Sequence, residues 1–101
     1  MDESILDVVY ETAKGLNNAG VMDTKTMYEI ESLCLPPVKT YTPEEIKNIR
    51  VKNEVSQVVF AAYLNISPST VQKWEWGRAK PRGPSLKLLN LVEQKGLSIL
   101  A

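Results

Sequence analysis

Four neighbouring side chains, Ser69, Thr70, Gln72 and Lys73, carry hydrogen-bonding groups at positions that the apolar spacing of Val71 and Trp74 excludes from a core. Residues four apart on a helix stack, so Ser69 shares a face with Lys73, with Gln72 beside them and Thr70 one step round. In a DNA major groove that set has the chemistry to read base edges: Gln suits adenine, Lys the acceptors of guanine, and Ser or Thr either. A second group follows at once. Arg78, Lys80 and Arg82 put three cations into five residues with no acid, bracketed by Gly77, Pro81 and Gly83. Such a loop beside a reading helix is placed to hold backbone phosphates and fix register. Gln57, earlier in the chain, adds a polar contact to that surface. The bland readings are a solvated helix face and an ordinary basic loop.

To present those side chains, Val55 to Gly77 must form two short helices and the turn between them, and its capping chemistry predicts that it does. Thr42, Ser56 and Ser67 each stand where a side-chain oxygen would cap a helix start. Pro43 and Pro68 follow at the first helical position, and Glu45 completes a capping box with Thr42. The apolar pairs Tyr41 and Ile46, Val55 and Phe60, and Ile66 and Val71 would staple the three starts. Phe60, Ala61 and Leu64 form one face, Val71 and Trp74 another, and the two must pack together. Ala61 is small enough to let the axes approach, and Asn65 tolerates the left-handed backbone of a tight turn. Pro84 opens a last helix striped by Leu86, Leu89 and Val92, widened by Leu88 and Leu91, and closed by Lys95 and Gly96. One side of that stripe can seal the bundle. The other, with Leu91, Leu97, Ile99 and Leu100, is the expected dimer surface, although core packing alone could use all of it.

The chain has 101 residues with one cysteine and no histidine. The absence of histidine removes the commonest general base and metal ligand, and one cysteine excludes an internal disulfide, so neither an enzyme, a metal site nor a cofactor is expected. Cys34, within Leu33-Cys34-Leu35-Pro36-Pro37, reads as a small buried apolar residue. No run of about 18 apolar residues is present to span a membrane, and the first residues lack the basic start and apolar stretch of a signal peptide. A cytoplasmic protein is expected.

Twelve cations balance twelve acids overall, but unevenly. Residues 1–41 hold three lysines against seven acids, a net of −4, and residues 42–101 hold nine cations against five acids, a net of +4. Opposite signs imply separate tasks, since an acidic segment is repelled by DNA. Residues 1–41 predict a helix starting at Asp2 or Ser4 with the stripe Ile5, Val9, Ala13 and Leu16, then a second after Asp23 with Met27, Ile30 and Leu33. Pro36 to Thr42 reads as a linker. Ile5, Val9, Ala13, Leu16, Met27 and Ile30 are the candidates for binding a basic protein. The alternative is that both helices fold back as extra core.

Thr42 to about Leu91 resembles the XRE, or lambda-repressor-like, helix-turn-helix family, through Ala61, the ending Trp74-Glu75-Trp76-Gly77 and the basic loop from Arg78 to Arg82. The resemblance implies an all-α bundle of four to five helices that binds operator DNA as a symmetric dimer. It further implies a pairing of Arg50 with Glu75 and adds Ser67 to the DNA-facing set of Gln57, Ser69, Thr70, Gln72 and Lys73. Trp76 departs from the family, in which a polar or basic residue is usual. The acidic segment, with Gly20-Val21-Met22-Asp23 and Leu33 to Pro37 leading into Thr42-Pro43-Glu44-Glu45-Ile46, is similar to HigA-like antitoxins and their NadS-type relatives. That implies a basic RelE-like or HigB-like mRNA-cleaving toxin as partner and repression of a shared operon. The expected division is an acidic helical arm at 1–41 and a DNA-binding domain with a dimerisation helix at 42–101. A stand-alone repressor and a protein-interaction module that never meets DNA are the competing readings.

Overall fold

The computed structural model describes residues 5–101, which form six α-helices and a closing 3-10 turn, with no strand among them. The chain divides into two compact units, one up to Pro37 and one from Val38 to Ala101.

The first unit pairs α1 (Ile5–Asn18) with α2 (Thr24–Leu33). The predicted start of α1 at Asp2 or Ser4 lies outside the described residues. Between the helices, the Asn17 side-chain amide donates to the Met22 carbonyl at 3.0 Å and closes the turn. Asp23 caps α2 by accepting from the Thr26 amide at 2.7 Å, and this backbone bond holds the Asp23 carboxyl below its ordinary value. A lone helix pair has little interior. Its buried apolar side chains are Ala13 and Met27, whereas Ile5, Val9 and Leu16 are exposed and Ile30 is half-buried. Ala13 and Met27 are thus largely covered within the helix pair itself, although Ala13 also lines the groove along it. A groove of about 240 Å³, lined chiefly by Val8, Val9, Ala13, Leu16, Met22 and Ile30, runs along the pair. Cys34 is half-buried rather than buried, and its thiol donates to the Leu6 carbonyl at 3.2 Å.

The second unit consists of α3 (Pro43–Lys52), α4 (Gln57–Leu64), α5 (Pro68–Glu75), α6 (Pro84–Lys95) and the 3-10 turn Leu97–Leu100. All three expected caps form. Glu45 and Thr42 exchange both bonds of a capping box, at 3.2 and 2.9 Å, while Ser56 accepts from the Val59 amide and Ser67 from the Thr70 amide. The core joins Ile46 and Ile49 of α3, Phe60, Ala61 and Leu64 of α4, Val71 and Trp74 of α5, and Leu89 and Val92 of α6. Tyr41, Val55 and Ile66, the outer residues of the three staples, pack against it. Burying such side chains contributes roughly 1.5–3 kcal/mol each before the entropy of ordering is set against it.

The C-terminal end corrects one expectation. Gly96, at φ 82°, turns the chain out of helical geometry and the following 3-10 turn sends Leu97 into the core, 8% exposed, with Leu100 packed partly against it. Leu97 is thus core rather than dimer surface. Of the expected dimer residues, Ile99 is exposed and Leu91 half-buried.

Two asparagines hold the unit together in a way the apolar pattern does not announce. Asn90 accepts from the Lys39 amide at 2.9 Å and donates to the Lys39 carbonyl at 2.9 Å and the Leu86 carbonyl at 2.8 Å. Asn53 donates to the Ile49 carbonyl and accepts from the Leu97 amide. Glu93 accepts from the Tyr41 hydroxyl and pairs with Lys39, and burial together with this carboxylate raises the Tyr41 phenol well above its ordinary value. These bonds strap Lys39 and Tyr41 to α6, which is why the unit begins at Val38, ahead of the Thr42 at which the domain was expected to start. Asn90→Ala leaves both Lys39 backbone groups without their partner and is expected to cost about 1–2 kcal/mol. In a unit of this size that is a fall in Tm of roughly 5–15 °C by calorimetry.

Candidate nucleic-acid interface

The surface of interest is built from α4, α5 and the loop after them. Leu64 and Pro68 are joined by three residues, of which Asn65 adopts the left-handed conformation at φ 57° and ψ 44°. The Ile66 amide bonds the Ala61 carbonyl at 3.0 Å, closing α4 while the chain reverses. Ala61 is fully buried at the crossing, and Phe60 and Leu64 meet Val71 and Trp74 across it. Small side chains at a crossing set how closely two helices lie.

With Val71 and Trp74 inward, α5 presents Ser69, Gln72 and Lys73 to solvent, and Thr70 is half-buried on the flank. Ser67 is exposed, but its hydroxyl caps the helix and lies 3.0 Å from the Ser69 hydroxyl and 2.9 Å from that of Thr70. Gln57 also makes a contact that its place in the sequence does not announce. It is half-buried, and its amide nitrogen donates to Glu75 Oε1 at 3.2 Å. Its amide is thereby drawn into the scaffold behind the face.

That scaffold is centred on Glu75. Arg50 Nε donates to Glu75 Oε2 at 2.7 Å, Arg50 Nη2 to Oε1 at 2.9 Å, and Arg50 Nη1 to the Val55 carbonyl at 3.1 Å. The pair fastens the end of α5 to α3 and to the residues just ahead of α4, with side chains 4% exposed for Glu75 and 13% for Arg50. Burial pushes the Glu75 carboxyl up, but the hydrogen bonds from Arg50 and Gln57 and the charges of Arg50 and Lys47 outweigh it, leaving Glu75 below its ordinary value. The bond to Glu75 raises Arg50 in turn.

Beyond Glu75 the chain leaves the helix through Gly77, whose φ of 76° is open to glycine at little cost and whose added Cβ would stand 3.4 Å from Pro43. The Arg78 and Ala79 amides both donate to the Lys73 carbonyl, at 2.8 and 3.3 Å. Ala79 then packs partly against the core and Pro81 is buried, while Arg78, Lys80 and Arg82 between them are exposed. Among the described residues none of these three cations, nor Lys73, has a carboxylate partner. The arrangement offers a row of hydrogen-bonding side chains on one helix and uncompensated positive charge beside it. No group of three or more His, Cys, Asp or Glu among the described residues is placed to hold a metal ion.

Residues 46–92 match the helix-turn-helix family model. A stretch of 53 residues is 42% identical to Antitoxin HigA-2 of Vibrio cholerae serotype O1, covering 52% of this chain and 51% of that relative. The chain thus spans about half the length of the curated relative it matches.

Proposed function

We propose, from the premise that this chain carries an XRE-type helix-turn-helix domain over residues 46–92, that it is a DNA-binding antitoxin which represses its own operon and neutralises a basic, RelE-like or HigB-like mRNA-cleaving toxin in the cytoplasm. The observation that carries the DNA half is the exposed Ser69, Gln72 and Lys73 face beside the exposed cations Arg78, Lys80 and Arg82, which have no carboxylate partner among the described residues. In that reading Ser69, Thr70, Gln72 and Lys73 meet base edges, and Ser67 and the loop cations meet phosphates. Gln57 acts by holding Glu75. A palindromic operator calls for two copies, and Leu91, Ile99 and Leu100 are the residues of the expected dimer surface that keep exposed area to join them.

The toxin half rests on the first unit. Its apolar groove is flanked in sequence by Asp7, Glu11, Glu29 and Glu31, with Lys14 and Lys25 the only cations of α1 and α2. A helix pair with so little interior gains most by covering a partner's apolar surface, and the acid excess favours a basic one. The experiment is growth rescue in the host. The small open reading frame adjacent to this gene is expressed with the full chain or with its Val9→Asp/Leu16→Asp variant, and DNA upstream of the gene is footprinted with both. The full chain is expected to restore growth. The variant is expected to fail at rescue while protecting the same DNA. A neighbour that does not arrest growth removes the toxin half and leaves a stand-alone repressor.

A further inference from the structure

Trp76 is the residue of the interface that neither base reading nor phosphate binding uses. It closes α5, with its amide bonded to the Gln72 carbonyl at 2.9 Å, yet its indole is 60% exposed. Trp74, two residues earlier, is 3% exposed, and Glu75 between them turns into the scaffold. An exposed indole leaves its ring face open to a neighbouring cation. What lies against it is Arg78, whose guanidinium carbon sits 5.2 Å from the ring centroid. The Arg78 backbone is fixed independently by its amide bond to the Lys73 carbonyl at 2.8 Å.

We propose that Trp76 is a positioning residue for Arg78: the guanidinium, held over the indole, is restrained where its N–H donors can grip a DNA phosphate. This deepens the DNA reading given above and rests on it. The chemistry follows from the shape of the two groups. A guanidinium stacked on a ring uses its face and leaves its five edge N–H donors free, and those edges make the bidentate bonds to phosphate. A free arginine side chain loses rotamer freedom when it is captured, and one already held on a ring loses less. Because no carboxylate competes for Arg78 among the described residues, the stacked conformer keeps its whole charge for the ligand. Among the described residues Lys80 and Arg82 have no ring partner, so the ordering falls on one cation of the three, the one whose backbone is bonded to the reading helix.

The test is a double-substitution cycle on the full chain. Wild type, Trp76→Ala, Trp76→Phe, Arg78→Ala and Trp76→Ala/Arg78→Ala are titrated by fluorescence anisotropy, across a salt series, against a labelled duplex from the segment upstream of the gene. Arg78→Ala is expected to reduce the log–log salt slope by about 0.9. Trp76→Ala should weaken binding about two- to fivefold, the scale of an exposed cation–π contact, and Trp76→Phe should restore most of it. In the Arg78→Ala background the further loss of Trp76 should change nothing. Equal effects of Trp76→Ala with and without Arg78 would overturn the proposal, assigning Trp76 to the helix end or to the DNA directly. A drop in Tm that accounts for the loss in Trp76→Ala, with no rescue by Trp76→Phe, would overturn it as well. If even the wild type shows no salt-dependent binding, the DNA reading itself fails and this inference with it.

Discussion

Arg50→Ala is expected to lower the unfolding free energy by about 3–5 kcal/mol, among the largest effects of any single substitution in the chain, because it strands a buried carboxylate. Glu75 keeps only 4% of its side-chain surface, and of its hydrogen bonds only that from Gln57 would survive the change. In chemical denaturation the loss should appear as a lower midpoint. Arg50→Ala/Glu75→Gln should recover part of it, since removing the second charge removes the desolvation cost that the first substitution exposes. A loss below about 1 kcal/mol would reduce the pair to the rank of a surface ion pair. Acid gives a separate check. Glu75 sits below its ordinary value of 4.5 when folded, so its contribution is complete above that value and disappears as pH falls through the folded one. Without Arg50, burial dominates and the sign reverses: protonating Glu75 then relieves the variant. The stability gap between wild type and Arg50→Ala should therefore narrow below about pH 4.5.

Ser69→Ala/Lys73→Ala should abolish the preference for the operator without unfolding the protein. Both side chains are exposed, and the one bond lost is that between the Ser67 and Ser69 hydroxyls. Each good base contact discriminates by about 1–3 kcal/mol, so affinity for the native site should fall by roughly 100-fold or more while binding to a scrambled duplex changes little. Alanine at Arg78, Lys80 and Arg82 together should do the reverse. It should weaken both duplexes alike and lower the salt slope by about 2.7, at about 0.9 per phosphate contact. Anisotropy titrations on native and scrambled duplexes separate the two patterns. An unchanged ratio in the Ser69→Ala/Lys73→Ala protein would show that α5 is not the reading helix.

What could be read from the sequence divides by the range of the interaction. The caps at Thr42, Ser56 and Ser67 and the left-handed Asn65 depend on a few adjacent residues, so composition and spacing announce them. The inward faces of α4 and α5 were equally legible, since helical periodicity dictates which side chains share a side. The asparagine clamps were not. Asn90 and Lys39 are 51 residues apart and Asn53 and Leu97 are 44 apart, and nothing local marks them as partners. The one available hint was a polar residue set between Leu89 and Leu91 in an apolar stripe. Leu97 lies beyond the end of α6 at Gly96, so its inward turn is set by the 3-10 geometry that follows, which the helical stripe does not announce. Gln57 shows a similar limit: its amide is polar and near the face, but the carboxylate that draws it inward comes from another helix.

The uneven distribution of buried side chains also bears on how the protein ages in a cell. Ten apolar residues close the core of the second unit, whereas Ala13 and Met27 alone are buried in the described part of the first, and Leu35 to Pro37 have no regular structure. Local opening, and hence attack by proteases, follows such differences. Limited proteolysis should therefore cut first within the described part of the first unit or at Leu35 to Pro37, and later beyond Lys39, where Asn90 pins the chain. The two units are therefore expected to differ in lifetime within one polypeptide, and the fragment expected to outlast the other is the one that carries the positive loop.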